Sequence, residues 1–489
     1  MGMEVPRSGE LLMFWAFKEE VKMEFKVNLE ERAEKAIERG LKLGIDEIEA
    51  YVVWNKVFTV RMANNMILES KGVLDIGMGI RVVDEGGLGF SATADLSDKG
   101  IEKALENALS SAKNRKLPFK YSLPEPTTPK KVEGTFDPKI ANLSEDEAVE
   151  LAYKMIESAL DYNKRVKDNS GELDIIVYHI HVRNSKGVDV SDQGTKIEAS
   201  LNTIAKNGTE ESEGFKAKGF RMFKDFNPEE IGVKSAELAV KSLGGEKIEP
   251  GEYTVILSPS TSSTIATYSA FLVSPYFMKT YSPLFEGKLG ETVAYEKLTI
   301  LEDPTWPGLW GSCSIDDEGV ATQRIPVIEN GVLKNYIYDS FYASLEGKRS
   351  TGSGFRTGFA VGVGIFPGKN YVLEPLPYAV NPVLLPGDWK KDEVFHETKK
   401  GVLVERFHYT RLTNPTRGDF TSILRFGVFK IRNGEIVGAY KKSRLVDNLL
   451  NILKNTDAIA NDLDVGGSWG DYAAAPTIRI SKVRIVPAE

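Results

Sequence analysis

Residues 316–338 read DDEGVATQRIPVIENGVLKNYIY, and the organisation of the chain is read outward from them. Three carboxylates, Asp316, Asp317 and Glu318, stand ahead of Gly319. Two apolar runs follow, parted by Asn330-Gly331. Both residues tolerate the positive φ of a type I′ turn, so Asn-Gly between apolar runs predicts a β-hairpin. A second such spelling, RNGEIVGAY at 432–440, echoes ENGVLKNY at 329–336. Two Asn-Gly hairpins predict a sheet-rich second half folded from two similar arms. The carboxylate triplet could offer oxygen ligands to Mg²⁺ or Ca²⁺. Consecutive side chains on regular backbone do not face one point, so the expectation is a solvated turn before the hairpin.

Upstream of this stretch, Glu249-Pro250-Gly251 marks a boundary, followed by a predicted strand, Tyr253 to Leu257, and the run SPSTSSTIATYSAFL. Downstream come a short helix from about Leu445 to Lys454 and a final strand, Thr477 to Val486. The first half alternates differently. Asn28 with Glu31 reads as a capping box, and Leu29, Ala33, Ala36, Ile37 and Leu41 recur at helical spacing. Strands are predicted over 47–62 and 73–90. Gly77, Gly79 and Gly89 inside them predict bulges or close backbone approach. A second helix starts at Ser97 or Asp98. Five prolines between 118 and 138 make an extended connector. Ser144 with Glu147 opens another helix, strands follow over 173–182 and 191–205, and Asn227-Pro228-Glu229-Glu230 starts a helix that ends at Gly244-Gly245. The fold class is α+β. A 1–24 extension precedes an N-terminal domain of helices and antiparallel strands, 25–245, with its Pro-rich connector at 118–138. A β-rich C-terminal domain, 246–489, completes the chain.

The chain has 489 residues, 42% of them hydrophobic, enough for a large core. A net charge of -8 without a dense Lys/Arg run argues against a nucleic-acid partner. The single cysteine, Cys313, excludes an internal disulfide framework and a cysteine-rich zinc module, and fits a cytoplasmic setting. No apolar run reaches membrane-spanning length, so no membrane association is expected. Leu11 to Phe17, LLMFWAF, is too short and lacks the flanks of a secretory signal. Residues 1–22 read as an upstream start or a loosely held arm. Abundant Lys and Glu hint at a heat-adapted, thermophile source.

Several residues invite a chemical reading. His179 and His181 share one face of a predicted strand and could grip a metal. Ile176, Tyr178, Ile180 and Val182 form the better core face, which leaves the histidines as the polar face of a half-buried sheet. His396 and His408 flank a predicted strand, Val402 to Phe407. Cys313 has no histidine base nearby in sequence. The Ser258–Ser263 run and Gly352-Ser353-Gly354 lack the G-x-S-x-G spelling of a nucleophile elbow.

DDEG, TQR, IENGVLKNYIYD, STGSGFR, NPTRGDF and GIRVVDEGGLGFSATADLS together resemble the TldD/PmbA family, once called modulators of DNA gyrase. The resemblance spans most of the chain after residue 28. It implies a peptidase complex of two related subunits, one of which carries zinc. In that TldD-type subunit, His-Glu-x-x-x-His sits on the helix after the first C-terminal-domain strand, and a late cysteine completes the site. Here an ungapped alignment puts Thr267 and Tyr268 at His-Glu, Leu272 at the second His, and Trp469 at the cysteine. The resemblance therefore implies a non-catalytic, metal-free TldE/PmbA-like subunit, with no cofactor of its own and zinc in a TldD-like partner. The hetero-oligomer would degrade or process short unfolded peptides, and this chain would be inactive alone. By the same resemblance Ser350, Thr351, Gly352, Ser353 and Gly354 lie near the cleft. Small residues there let another backbone approach, so an extended peptide could add as a strand, with His408 in the same groove; an ordinary loop is the other reading. Two alternatives stand beside this one. The first is a stand-alone peptidase with a relocated site using His396, His408 or Cys313. The second is a homodimeric peptide-binding or scaffold protein.

Overall fold

A computed structural model describes residues 27–357, 367–468 and 470–488. The expected 1–24 extension and Trp469 lie outside the described residues. The first part of the chain runs α1 (Leu29–Lys42), β1 (Glu47–Ala63), β2 (Met66–Asp84), β3 (Gly87–Thr93), α2 (Asp98–Asn114), the short α3 (Pro138–Ala141), α4 (Glu145–Tyr162), β4 (Val166–Asn184), β5 (Asp189–Asn207), β6 (Glu210–Phe220) and α5 (Pro228–Lys241). The helix starts follow their caps. Asn28 accepts from the Glu31 N–H, Ser144 and Glu147 form a reciprocal capping box, and Asn227 accepts from Glu229 and Glu230.

The six strands form one antiparallel sheet, ordered β3-β2-β1-β4-β5-β6. Both faces are covered, and the period of two along each strand divides them. Ile48, Ala50 and Val52 pack under α1 and α2; Phe58, Val60 and Met62 pack under α4. Tyr51, Val53, Ile176, Tyr178, Ile180 and Val182 face the other way, onto Trp310, Ile315 and Tyr472 from the second half of the chain. This corrects the expectation of a half-buried sheet with a polar histidine face. His181 is buried between Ser191 and Asp189, at 2.8 and 3.0 Å, and His179 packs edge-on to Trp54.

The second part runs β7 (Gly251–Leu257), α6 (Pro259–Phe271), α7 (Pro275–Thr280), β8 (Ile300–Glu302), β9 (Ile325–Glu329), β10 (Val332–Leu333), α8 (Ser340–Leu345), β11 (Gly354–Phe355), β12 (Leu376–Pro377), β13 (Pro382–Leu384) and α9 (Lys391–His396). It continues with β14 (Lys400–Val404), β15 (Phe407–Asn414), β16 (Asp419–Leu424), β17 (Val428–Arg432), β18 (Glu435–Ala439), β19 (Ser443–Asn448), α10 (Leu449–Lys454), β20 (Thr456–Ile459), β21 (Asp464–Ser468), β22 (Asp471–Ala475) and β23 (Ile478–Pro487). Two larger sheets result. One is ordered β10-β9-β8-β13-β22-β21; the other is β15-β16-β19-β23-β7-β14-β17-β18, with β20 on β23. Both Asn-Gly hairpins form: Asn330 and Gly331 have φ of 49° and 77°, Asn433 and Gly434 of 49° and 83°. The fold is strand-rich α+β, as read from the sequence.

α6 is the centre of the second part. It packs against β7, β8, β13, β21 and β22, and residues on every side of it are buried. Its hydroxyls suit that position because they bond to backbone carbonyls: Ser262 to Pro476 at 2.6 Å, Ser269 to Ile265 at 2.8 Å. Small side chains also let β21 come close. A Cβ on Gly466 would sit 2.6 Å from the Ser260 Cα. No described helix is long and apolar enough to cross a membrane.

Candidate functional site

The sequence motifs lead to two places, one sealed and one open. The sealed one holds Asp316, Asp317 and Glu318. The expectation of a solvated turn fails here, since the three are 0%, 2% and 0% exposed. Gly319, at φ 75°, breaks the regular backbone and lets the three carboxylates diverge to different partners. Asp316 accepts from the backbone N–H groups of Glu318, Val320 and Gly354 at 2.9–3.0 Å. Asp317 takes the Tyr51 hydroxyl at 3.1 Å, the Arg356 N–H at 2.8 Å and the Lys369 ammonium at 2.8 Å. Glu318 meets Arg81 at 2.7 Å and the Ser340 N–H at 2.8 Å. Arg81 and Arg356 both reach Glu49 on β1, at 2.9 Å each. Burial works against the Arg81 charge, but Glu49, Tyr121 and Glu318 hold its pKa well above the ordinary value. Every carboxylate is thus spent on an N–H, an O–H or a cation of the protein. The arrangement clamps the first sheet to the loops of the second part.

Of the stretch 350–354, Gly352, Ser353 and Gly354 are buried in this sealed place, and Ser350 and Thr351 are half-buried beside it. Ser353 is 1% exposed, Gly354 pairs in β11 with Pro377, and a Cβ on Gly354 would stand 2.4 Å from Glu318 Oε2. Ser350 and Thr351 bond to the Tyr338 carbonyl at 3.3 and 3.0 Å, and Gly352 approaches Ala321. The expected groove of these five residues with His408 is therefore not one place, because only His408 reaches the open cleft.

That cleft, of about 450 Å³, lies between α6, the β15 edge and the β5–β6 side of the first sheet. Its lining includes Thr267, Tyr268, Arg406, His408, Phe215 and Asp471. Thr267 and Tyr268 stand on α6, directly after the first strand of the second part, and Gly467 and Ser468 of the glycine-rich β21 line the same cleft. Two motifs far apart in sequence thus meet at one site. The side chains are poor metal donors. Tyr268 donates its hydroxyl to the Thr410 carbonyl at 2.8 Å, and burial raises its pKa further. Leu272, at 0% exposure, packs in the hydrophobic core. Zinc requires nitrogen, thiolate or carboxylate ligands, and Thr267, Tyr268 and Leu272 do not fit it. Among the described residues, no group of three or more His, Cys, Asp or Glu side chains is placed to hold a metal ion. Burial lowers the His408 pKa and lifts the Asp471 carboxyl to about 6.

The remaining candidates are scattered. Cys313 is buried in the core, and burial raises its thiol pKa. His396 is an exposed side chain at the end of α9, beside the Gly434 turn. Neither lines the cleft.

Comparison with known proteins decides what this architecture is. Three family models match in succession: PmbA/TldA metallopeptidase domain 1 over 48–112, the central domain over 138–243 and the C-terminal domain over 250–487. The chain belongs to the PmbA/TldD family. An uncharacterized protein of Methanocaldococcus jannaschii is 28% identical over 443 residues, covering 89% of this chain and 96% of its own. A Thermotoga maritima structure named for DNA gyrase modulation is similar at TM-score 0.81 and 26% identity, over 94% of this chain and all of that one. TldE from Thermococcus kodakarensis shares the fold at TM-score 0.82 and 22% identity, over 93% and 100% of the two chains. Against this PmbA/TldD background, the buried carboxylate clamp is the feature sequence reading missed. Its signal was a charged residue inside the apolar stretch of each of two strands: Glu49 in β1 and Arg81 in β2.

Proposed function

We propose that this chain is the metal-free, TldE/PmbA-like subunit of a two-subunit peptidase. Zinc would reside in a TldD-like partner, and the pair would cleave short unfolded peptides. The observation that carries the reading is the chemistry of α6. A zinc peptidase needs nitrogen or sulfur ligands, a carboxylate to handle the water proton and an open coordination position. At the positions that resemblance assigns to those ligands, this helix and the residue that caps its C-terminus offer a threonine, a hydrogen-bonded phenol and a core leucine. The cleft beside them has the mixed lining of a peptide site, with aromatic rings, hydroxyls and a few charges. The reading treats 25–245 and 246–489 as separate folding domains, and this chain as the second wall of the chamber that admits unfolded peptides.

The experiment is reconstitution. The chain is mixed with a TldD-like subunit from the same source, and cleavage of short unfolded peptides is followed against each subunit alone. Activity that depends on the mixture supports the reading. A partner whose activity is indifferent to this chain contradicts it.

A further inference from the structure

The cleft contains two arginines in different circumstances. Arg425 is neutralised: its Nε and Nη2 each lie 2.6 Å from a carboxylate oxygen of Glu213. Arg406 is not. It donates to Ser468 Oγ at 2.7 Å and to the Gly467 carbonyl at 3.5 Å, both neutral acceptors. Its guanidinium lies 4.1 Å from the Phe215 ring centroid, and Phe215 in turn packs against Phe426 at 5.5 Å. No described carboxylate is within ion-pair distance of it. Glu198 favours its charge electrostatically and accepts from the Tyr472 hydroxyl at 3.0 Å and from the Gly470 N–H. Burial brings Arg406 down to about 10, which leaves it charged at neutral pH. Among the described residues that line the cleft, Arg406 is the arginine outside an ion pair, and it is seated on an aromatic face.

We propose that Arg406 binds a carboxylate of a peptide lying in the cleft, with the adjoining peptide side chain against Phe215 and Phe426. This rests on the peptide reading above and adds the group that is recognised. A guanidinium fork matches a carboxylate through two parallel N–H···O bonds, and partial removal from water strengthens them. A polyphosphate or nucleic-acid ligand fits less well, because among the described lining residues Arg406 is the single arginine outside an ion pair, and the Asp471 carboxyl lines the same cleft. The carboxylate can come from the peptide C-terminus or from an acidic side chain.

Fluorescence anisotropy with the full chain tests this, using penta-alanine with an N-terminal uncharged boron-dipyrromethene dye that carries no carboxylate, as the free acid, as its C-terminal amide, and as the amide with a central aspartate. Binding of one or both carboxylate-bearing peptides at least about tenfold tighter than the plain amide is expected. Which of the two binds tighter identifies the source of the carboxylate. Arg406→Met should abolish the difference, and Arg406→Lys, which keeps the charge but loses the fork, should retain part of it. Three equal affinities in the unmodified chain would overturn the carboxylate assignment and leave peptide binding standing. A preference that survives in folded Arg406→Met would also overturn it. Failure of all three peptides to bind would remove the peptide reading and this proposal together.

Discussion

Arg81 Nη1 lies 2.7 Å from Glu318 Oε1, joining residues 237 positions apart with both side chains sealed from solvent. The same guanidinium reaches Glu49, so one cation stands between two buried carboxylates. Removing it leaves Glu318 buried without a cation and Glu49 with Arg356 alone, which is far costlier than the net worth of the pairs. Arg81→Met should lose about 3–5 kcal/mol of stability. Urea unfolding at neutral pH, comparing midpoints at equal slope, measures this.

Gly354 faces the same clamp from the other side. A methyl group there would stand 2.4 Å from Glu318 Oε2, inside a strand with no room to move. Gly354→Ala should cost roughly 1–3 kcal/mol by overpacking. If 350–354 formed an open peptide groove instead, the substitution would leave the melting temperature unchanged and alter peptide binding.

Installing a histidine at Leu272 tests the metal position directly. Leu272 is fully buried among apolar neighbours, so Leu272→His gives up packing and buries a polar ring. The expected outcome is a loss of about 2–5 kcal/mol and no rescue by zinc. Thermal melts with and without added zinc provide the comparison.

Glu302 is buried, and burial raises its pKa to about 8 even though it accepts the backbone N–H groups of Val380 and Asn381. Its folded pKa lies above the ordinary carboxylate value, so between the two the folded chain holds the extra proton. Stability from this group is present at low pH and is lost as pH rises toward and through 8. Glu302→Gln keeps the accepting oxygen and cannot ionise. The variant should flatten the decline in unfolding midpoint between pH 5 and pH 8 and gain most at the alkaline end, by urea titrations at several pH values.

Local signals carried the elements well. Asn28, Ser144 and Asn227 cap the helices they were read to cap, and Asn330-Gly331 and Asn433-Gly434 turn as expected. Gly77 does mark close approach, since a Cβ there would enter the Tyr371 ring. What failed was long-range. Nothing near Asp316–Glu318 announces that backbone N–H groups satisfy Asp316, that Lys369 pairs with Asp317 and that Arg81 pairs with Glu318, so three adjacent acids looked solvated. His181 was misread for the same reason, because the layer that covers its face comes from elsewhere in the chain. The cleft was half legible. Thr267, Tyr268 and His408 were named, but Arg406 has no motif and gains its meaning only from the absence of a nearby described carboxylate.

The central claim is that the α6 site of this chain does not hold the family's metal. Elemental analysis of the purified protein, paired with a peptide-cleavage screen of the chain alone, tests it most directly. The account expects zinc well below one ion per chain and no cleavage. One tightly held zinc per chain, with cleavage abolished by a chelator, would contradict it.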